Sequence, residues 1–109
     1  MALEIEYDGD QAATISTEHT LATITGADTR VLVVDLSPMV AGDSVTLRIK
    51  TAVRAGGTER VAYTAIFAGA TAVPIAFSPP VPMPTGGTVT LQQTAGTGRT
   101  YPWAVYAFG

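Results

Sequence analysis

At 109 residues and a formal net charge of −3, the chain has the length of one domain. A chain of that size buries roughly two-thirds of the surface it exposes when unfolded. With no cysteine and one histidine, His19, it has no disulfide staples, no thiol chemistry and no standard zinc site. Its few bases are scattered rather than striped, which argues against a nucleic-acid partner.

Residues 1–10 hold Glu4, Glu6, Asp8 and Asp10 and no base, so this opening segment carries the net negative charge while the remainder stands at +1. Its run LEIEYDGD alternates, placing Leu3, Ile5 and Tyr7 on one side and the carboxylates on the other if it is extended. The segment reads as an acidic N-terminal arm or an edge strand, outside a single β-sandwich domain over residues 11–109. The Met-Ala-Leu-Glu start lacks a basic, then apolar, leader, so no secretory signal is expected. Thr-rich strands are expected over residues 12–17 and 20–25, where β-branched side chains suit a pleated surface. RVLVVDL over residues 30–36 is nearly continuous in apolar residues and predicts a central strand covered on both faces.

The clearest pattern lies over residues 44–68. Val45, Leu47, Ile49, Thr51 and Val53 share one face and Ser44, Thr46, Arg48, Lys50 and Arg54 the other. After a Gly-rich connection, Val61, Tyr63, Ala65 and Phe67 share a face in turn, so the pair predicts a long antiparallel hairpin. Such a hairpin needs a second sheet over its apolar side.

Residues 61–98 contain no charged side chain, yet Pro74, Pro79, Pro80, Pro82 and Pro84 interrupt them. No apolar run there spans a bilayer, and the chain reads as soluble with no membrane partner. Pro74 suggests an edge or bulge in a strand over residues 72–77. SPPVPMP over residues 78–84 predicts a stiff connector crossing between sheets. A strand over residues 88–93 and a turn at Gly96-Thr97-Gly98 follow. The last strand alternates Tyr101, Trp103, Val105 and Ala107 against Pro102, Ala104, Tyr106 and Phe108. Seven or eight short strands and no helical periodicity predict an all-β, antiparallel sandwich.

Catalytic equipment is thin. His19 beside Glu18 reads as a solvated surface histidine. No serine sits in a nucleophile motif. Asp8-Gly9-Asp10 is a fragment of a calcium loop without its closing glutamate. Gly96-Thr97-Gly98 lacks the helix and lysine of a phosphate loop and reads as a hairpin turn. The expectation is no enzyme, no cofactor and no metal. The four aromatics of the last strand cannot all enter one core. Trp103 is expected inside and Tyr106 and Phe108 at a subunit contact, with a sugar-stacking platform as the alternative use.

Three segments together resemble a known group. They are Met39-Val40-Ala41-Gly42-Asp43 running into VTLRIKTAV, RVAY followed by SPPVP, and LQQTAGTGR followed by YPWAVY. The pattern is similar to small jelly-roll-like structural proteins of tailed bacteriophages, of the capsid decoration or cement type, and covers residues 20–107. The resemblance implies a non-enzymatic virion component made in the host cytoplasm and placed on the outer surface of the capsid. The major capsid protein is its expected partner, and self-association is expected as a trimer or dimer. A tail or head–tail connector component is the nearest alternative, and a carbohydrate-binding module the alternative of another kind. Leu3, Ile5 and Tyr7 are expected to become ordered by contact with the capsid protein or a sister subunit, and deleting residues 1–10 is expected to abolish particle binding and leave the fold intact.

Overall fold

The computed structural model describes residues 3–108. They form β1 (Leu3–Ala12), β2 (Glu18–Thr25), β3 (Asp28–Asp35), β4 (Ser44–Thr51), β5 (Arg60–Ala68), β6 (Ile75–Phe77), β7 (Val81–Met83), β8 (Gly86–Ala95) and β9 (Thr100–Phe108). One sheet has the order β1-β9-β3-β6, with β7 also on β3; the other has the order β2-β8-β4-β5. All pairs are antiparallel, and the two sheets pack as a β-sandwich. Every connection except β4–β5 and β6–β7 crosses from one sheet to the other. Among the described residues there is no helix long and apolar enough to cross a membrane.

The β4–β5 hairpin forms as its alternation predicts. Val45, Leu47 and Ile49 are buried, each burial stabilising the fold by about 2 kcal/mol, while Arg48 and Lys50 stay half-exposed outside. The pattern stops at Thr51. Val53 lies beyond the strand and is 96% exposed. A bulge between Ile49 and Lys50 leaves Ala62 without a partner in β5. It takes Val61 off the face shared by Tyr63, Ala65 and Phe67, and Val61 is exposed.

Between the sheets, Leu32 and Val34 of β3 meet Leu47, Ile49, Leu91, Tyr101 and Val105 in one continuous core. β3 is central, but its two faces differ. Arg30, Leu32 and Val34 are buried while Val31 and Val33 are only half-buried. Among the described residues no element covers the outer side, so the apolar run is not enclosed on both faces as expected.

Several expected boundaries move. No strand covers residues 12–17, because β1 continues to Ala12 and a turn follows with Ser16 at φ 67°. The proline-rich segment does not cross between sheets. Its Val81–Met83 pairs with Asp28, Thr29 and Arg30, so β6 and β7 share one strand position and the crossing comes after Met83. The turn at Gly96 and Gly98 is not a hairpin either, since β8 and β9 belong to opposite sheets. Gly86, where the chain enters β8, has φ 89°. A Cβ there would lie 2.0 Å from the Ile24 carbonyl oxygen, so only glycine lets β8 run this close to β2.

The first ten residues are built into the sandwich. β1 pairs with β9 from Leu3↔Phe108 to Ala12↔Thr100. A bulge between Ile5 and Tyr7 turns Tyr7 inward onto the core and leaves Ile5 outside, 56% exposed. Ile5 and Tyr7 therefore do not share a face, contrary to the expectation. The Leu3 side chain lies outside the described residues. Glu6, at the bulge, binds Arg30 at 2.5 Å, and Arg30 is 2% exposed. Deleting residues 1–10 would remove that carboxylate together with the strand that pairs with β9, so a loss of stability is now expected in place of an intact fold, from the cost of stranding a buried guanidinium.

Candidate functional site

The alternation of β9 sends Tyr101, Val105 and Ala107 into the core, with Trp103 packed against it and lying over Gly9. The opposite side of the strand must then face out. Register sets its neighbours there. Tyr106 stands between Ile5 of β1 and Val31 of β3, and Phe108 beside Thr29. Val33 stands between Ala104 of β9 and Phe77 of β6. The result is an apolar outer face spanning four strands. Phe77 is 70% exposed and Ile75 47%.

An open groove of about 510 Å³ runs across this face, lined by Val31, Val33, Phe77, Pro79, Tyr106 and Phe108, with no charged side chain among its walls. Its walls are rigid for a reason. Tyr106 and the valines sit in paired strands, and two consecutive prolines fix the rim. Ser78 pins the edge, its N–H donating to the Leu32 carbonyl at 2.9 Å and its Oγ accepting from the Leu32 N–H at 3.0 Å. Glu4, Asp8 and Asp10 lie exposed along the neighbouring edge strand.

A wider cleft of about 990 Å³ opens where Pro79, Pro82 and Pro84 face Val53, Val61 and Tyr63. It lies between the proline-rich segment that carries β7 and the start of β5.

The polar clusters are all engaged in holding the fold. On the outer face of the second sheet, the Glu18 carboxylate accepts from Thr90 Oγ1 at 2.6 Å and faces Lys50 at 3.1 Å and Arg48 at 3.3 Å. The Thr90 hydrogen bond, aided by the two cations, holds Glu18 below the ordinary carboxylate value. Asp43, 2% exposed, accepts from Arg99 Nε at 2.7 Å, from the Val40 N–H at 3.0 Å and from the Thr97 N–H at 3.2 Å. The Arg99 bond above all lowers its pKa. The Gly96-Thr97-Gly98 turn thus cradles an anion after all, but the anion is the chain's own carboxylate. A Cβ on Gly96 would collide with Asp43.

Tyr101 is fully buried and donates to Gln93 Oε1 at 3.0 Å. Burial raises its pKa and keeps the phenol neutral. Gln93 in turn donates to the Ala95 and Thr97 carbonyls. His19 Nε2 accepts from the Thr14 N–H at 2.9 Å, closing the β1–β2 turn rather than sitting free in solvent. No group of three or more His, Cys, Asp or Glu side chains converges among the described residues.

Of the five residues predicted to make contacts, Ile5, Tyr106 and Phe108 come together on the apolar face. Leu3 pairs with Phe108 in the backbone register, and Tyr7 turns away. Sequence reasoning missed Phe77, Ile75, Val31, Val33 and Pro79. The signal was present in RVLVVDL, where Val31 and Val33 alternate with Leu32 and Val34, but reading them as covered on both sides hid their exposure. Neither a protein-family model, nor a curated protein, nor a solved structure matches this chain.

Proposed function

We propose that this chain is a structural protein of a tailed-bacteriophage virion, a capsid decoration protein that docks on the assembled shell through the apolar outer face of its β1-β9-β3-β6 sheet. One observation carries the reading: an uncharged, aromatic-bearing groove stands on rigid paired strands where a sandwich ordinarily presents polar residues to water. Aromatic anchors at the centre and charges at the border are how an interface excludes water and gains specificity. Here the anchors are Tyr106, Phe77 and Phe108, and the border is Asp8 and Asp10, which register places on the same side as Ala104 and Pro102. The complementary patch is then apolar with a basic edge. Binding the assembled shell and not its free subunits stabilises the particle by mass action.

The same reading takes the sandwich as a jelly roll. The pairs β1·β9, β2·β8, β3·β6 and β4·β5 nest inside one another, as in a single long antiparallel ribbon wound into two sheets, with the β4–β5 hairpin at its tip.

The test is addition of purified protein to undecorated heads. Wild-type protein co-sediments with them and raises their resistance to heat, and Phe77→Asp/Tyr106→Asp does neither while keeping its own melting temperature. Equal binding by the double variant overturns the docking face. Label confined to one vertex or to the tail overturns decoration in favour of a connector. Glycan binding that vanishes in Tyr106→Ala overturns the assembly role in favour of a sugar platform.

A further inference from the structure

We infer that two copies of this chain associate through the free edge of β5, pairing antiparallel about a two-fold axis at Ala65 to give one continuous eight-stranded sheet. The inference concerns how copies meet one another, and it stands whether or not the shell is the partner of the outer face.

An edge strand offers unpaired N–H and C=O groups to any extended chain, and proteins guard such edges with charge, proline, bulges or shortness. Three of the four edges here are guarded. β1 exposes Glu4, Asp8 and Asp10 and carries a bulge. β2 begins at an ion-paired glutamate and bulges at Leu21, which leaves only Ala22–Thr25 in unbroken register beyond the bulge. β6 and β7 are three residues each, bracketed by prolines. β5 pairs only with β4. Beyond Arg60 it has no charge and no proline, and from Tyr63 to Ala68 its pairing with β4 is unbroken. Ile66 on its outer side is 73% exposed.

A second copy is the occupant this strand fits best. Opposite residues of an antiparallel pair point to the same side of the sheet, so a two-fold centred on Ala65 sets Tyr63 against Phe67 on the inner side, twice. On the outer side it sets Thr64 against Ile66, twice. Tyr63 and Phe67, each half-buried against the core, gain an aromatic neighbour from the sister strand. No like charges meet, and the bulge at Ala62 stays outside the paired segment. The same operation on β1 would bring carboxylates against carboxylates.

The test is the concentration dependence of mass in solution, by analytical ultracentrifugation of wild type and two double variants at Thr64 and Ile66. Wild type is expected to double its mass with a micromolar dissociation constant. Thr64→Lys/Ile66→Lys sets lysines opposite one another and weakens the dimer at least ten-fold, whereas Thr64→Glu/Ile66→Lys sets opposite charges together and restores it. Circular dichroism confirms that both variants keep their strands. A wild type that remains monomeric at millimolar concentration overturns the inference. So does a dimer that ignores both pairs of substitutions, or one that the Glu/Lys pair fails to restore. Docking on heads is not measured, so failure here leaves the outer-face reading to its own test.

Discussion

The two sheets of this sandwich are opposite in polarity. The β2-β8-β4-β5 sheet keeps its charges outside, where Glu18 meets Arg48 and Lys50 among threonines. Its inner face is almost wholly apolar. The β1-β9-β3-β6 sheet turns a guanidinium inward, Arg30, and presents Ile5, Val31, Val33, Phe77, Tyr106 and Phe108 to the outside. Exposed aromatics add at most about 1 kcal/mol each through cross-strand pairs, and this inversion is what supports the docking face proposed for the first sheet. The second sheet is the ordinary solvated one.

The largest effect expected from breaking this contrast is at the inward charge. Arg30 Nε and Nη2 contact the Glu6 carboxylate, and its Nη1 and Nη2 also donate to the Gly26 and Thr25 carbonyls. Among the described residues, Glu6→Ala removes the one carboxylate that contacts a nearly inaccessible guanidinium. Because Glu6 itself is about one-third exposed, the loss is put at about 2 kcal/mol, below the range for a fully buried pair. Urea unfolding of the variant measures it. A change under about 0.5 kcal/mol would mean that the backbone carbonyls alone satisfy the arginine.

Next in size is the docking face itself. Phe77→Thr/Tyr106→Thr makes the first sheet's exterior resemble the second's. Head binding is expected to fall at least ten-fold, corresponding to about 1.4 kcal/mol, while stability moves by less than about 1 kcal/mol, as for surface sites. A stability loss as large as the binding loss would show that these aromatics serve packing.

How much of this was legible depends on where each residue's fate is decided. Strict alternation at Val45, Leu47 and Ile49 fixed a strand and its buried face locally, because a period of two has one reading in a two-layer fold. The split of β9 into core and exterior aromatics was legible for the same reason. Bulges were not. One extra residue at Glu6 turns Tyr7 inward, and one at Ala62 takes Val61 off its face, and nothing in either local sequence marks the insertion. Asp43 was missed because its partners Thr97 and Arg99 lie more than fifty residues away. Its part in closing the β8–β9 turn exists only once the sheets have packed. RVLVVDL misled because a run of valines describes a strand without saying how many layers the domain has.

Acid sensitivity should separate the loop carboxylate from the exposed one. Asp43 and Glu18 both have lowered pKa values in the folded chain, chiefly through Arg99 and Thr90 respectively. A depressed folded pKa gives stability that is complete above the unfolded value and is lost as pH falls through the folded one. The window therefore opens below the ordinary values of 4.5 for Glu18 and 3.8 for Asp43. Unfolding midpoints are expected to be flat near neutrality and to fall in that range, with Asp43→Asn flattening the fall more than Glu18→Gln. The reverse order would locate the acid-labile contact on the outer face of the second sheet.

The smallest effect belongs to that outer face. Glu18 is one-third exposed, and so are Arg48 and Lys50, so water and salt screen the cluster. Glu18→Gln retains an acceptor for Thr90 and removes only the charge, at an expected cost of about 0.5 kcal/mol that shrinks in high salt. Thr90→Val cuts deeper, because Thr90 is 2% exposed and its hydroxyl is what lowers the Glu18 pKa most; about 1 kcal/mol is expected, independent of salt. Equilibrium unfolding at low and high ionic strength distinguishes the two. If both variants lost the same stability with the same salt dependence, the cluster would act as one buried network. The solvated character assigned to this sheet, and with it the contrast between the two faces, would then be wrong.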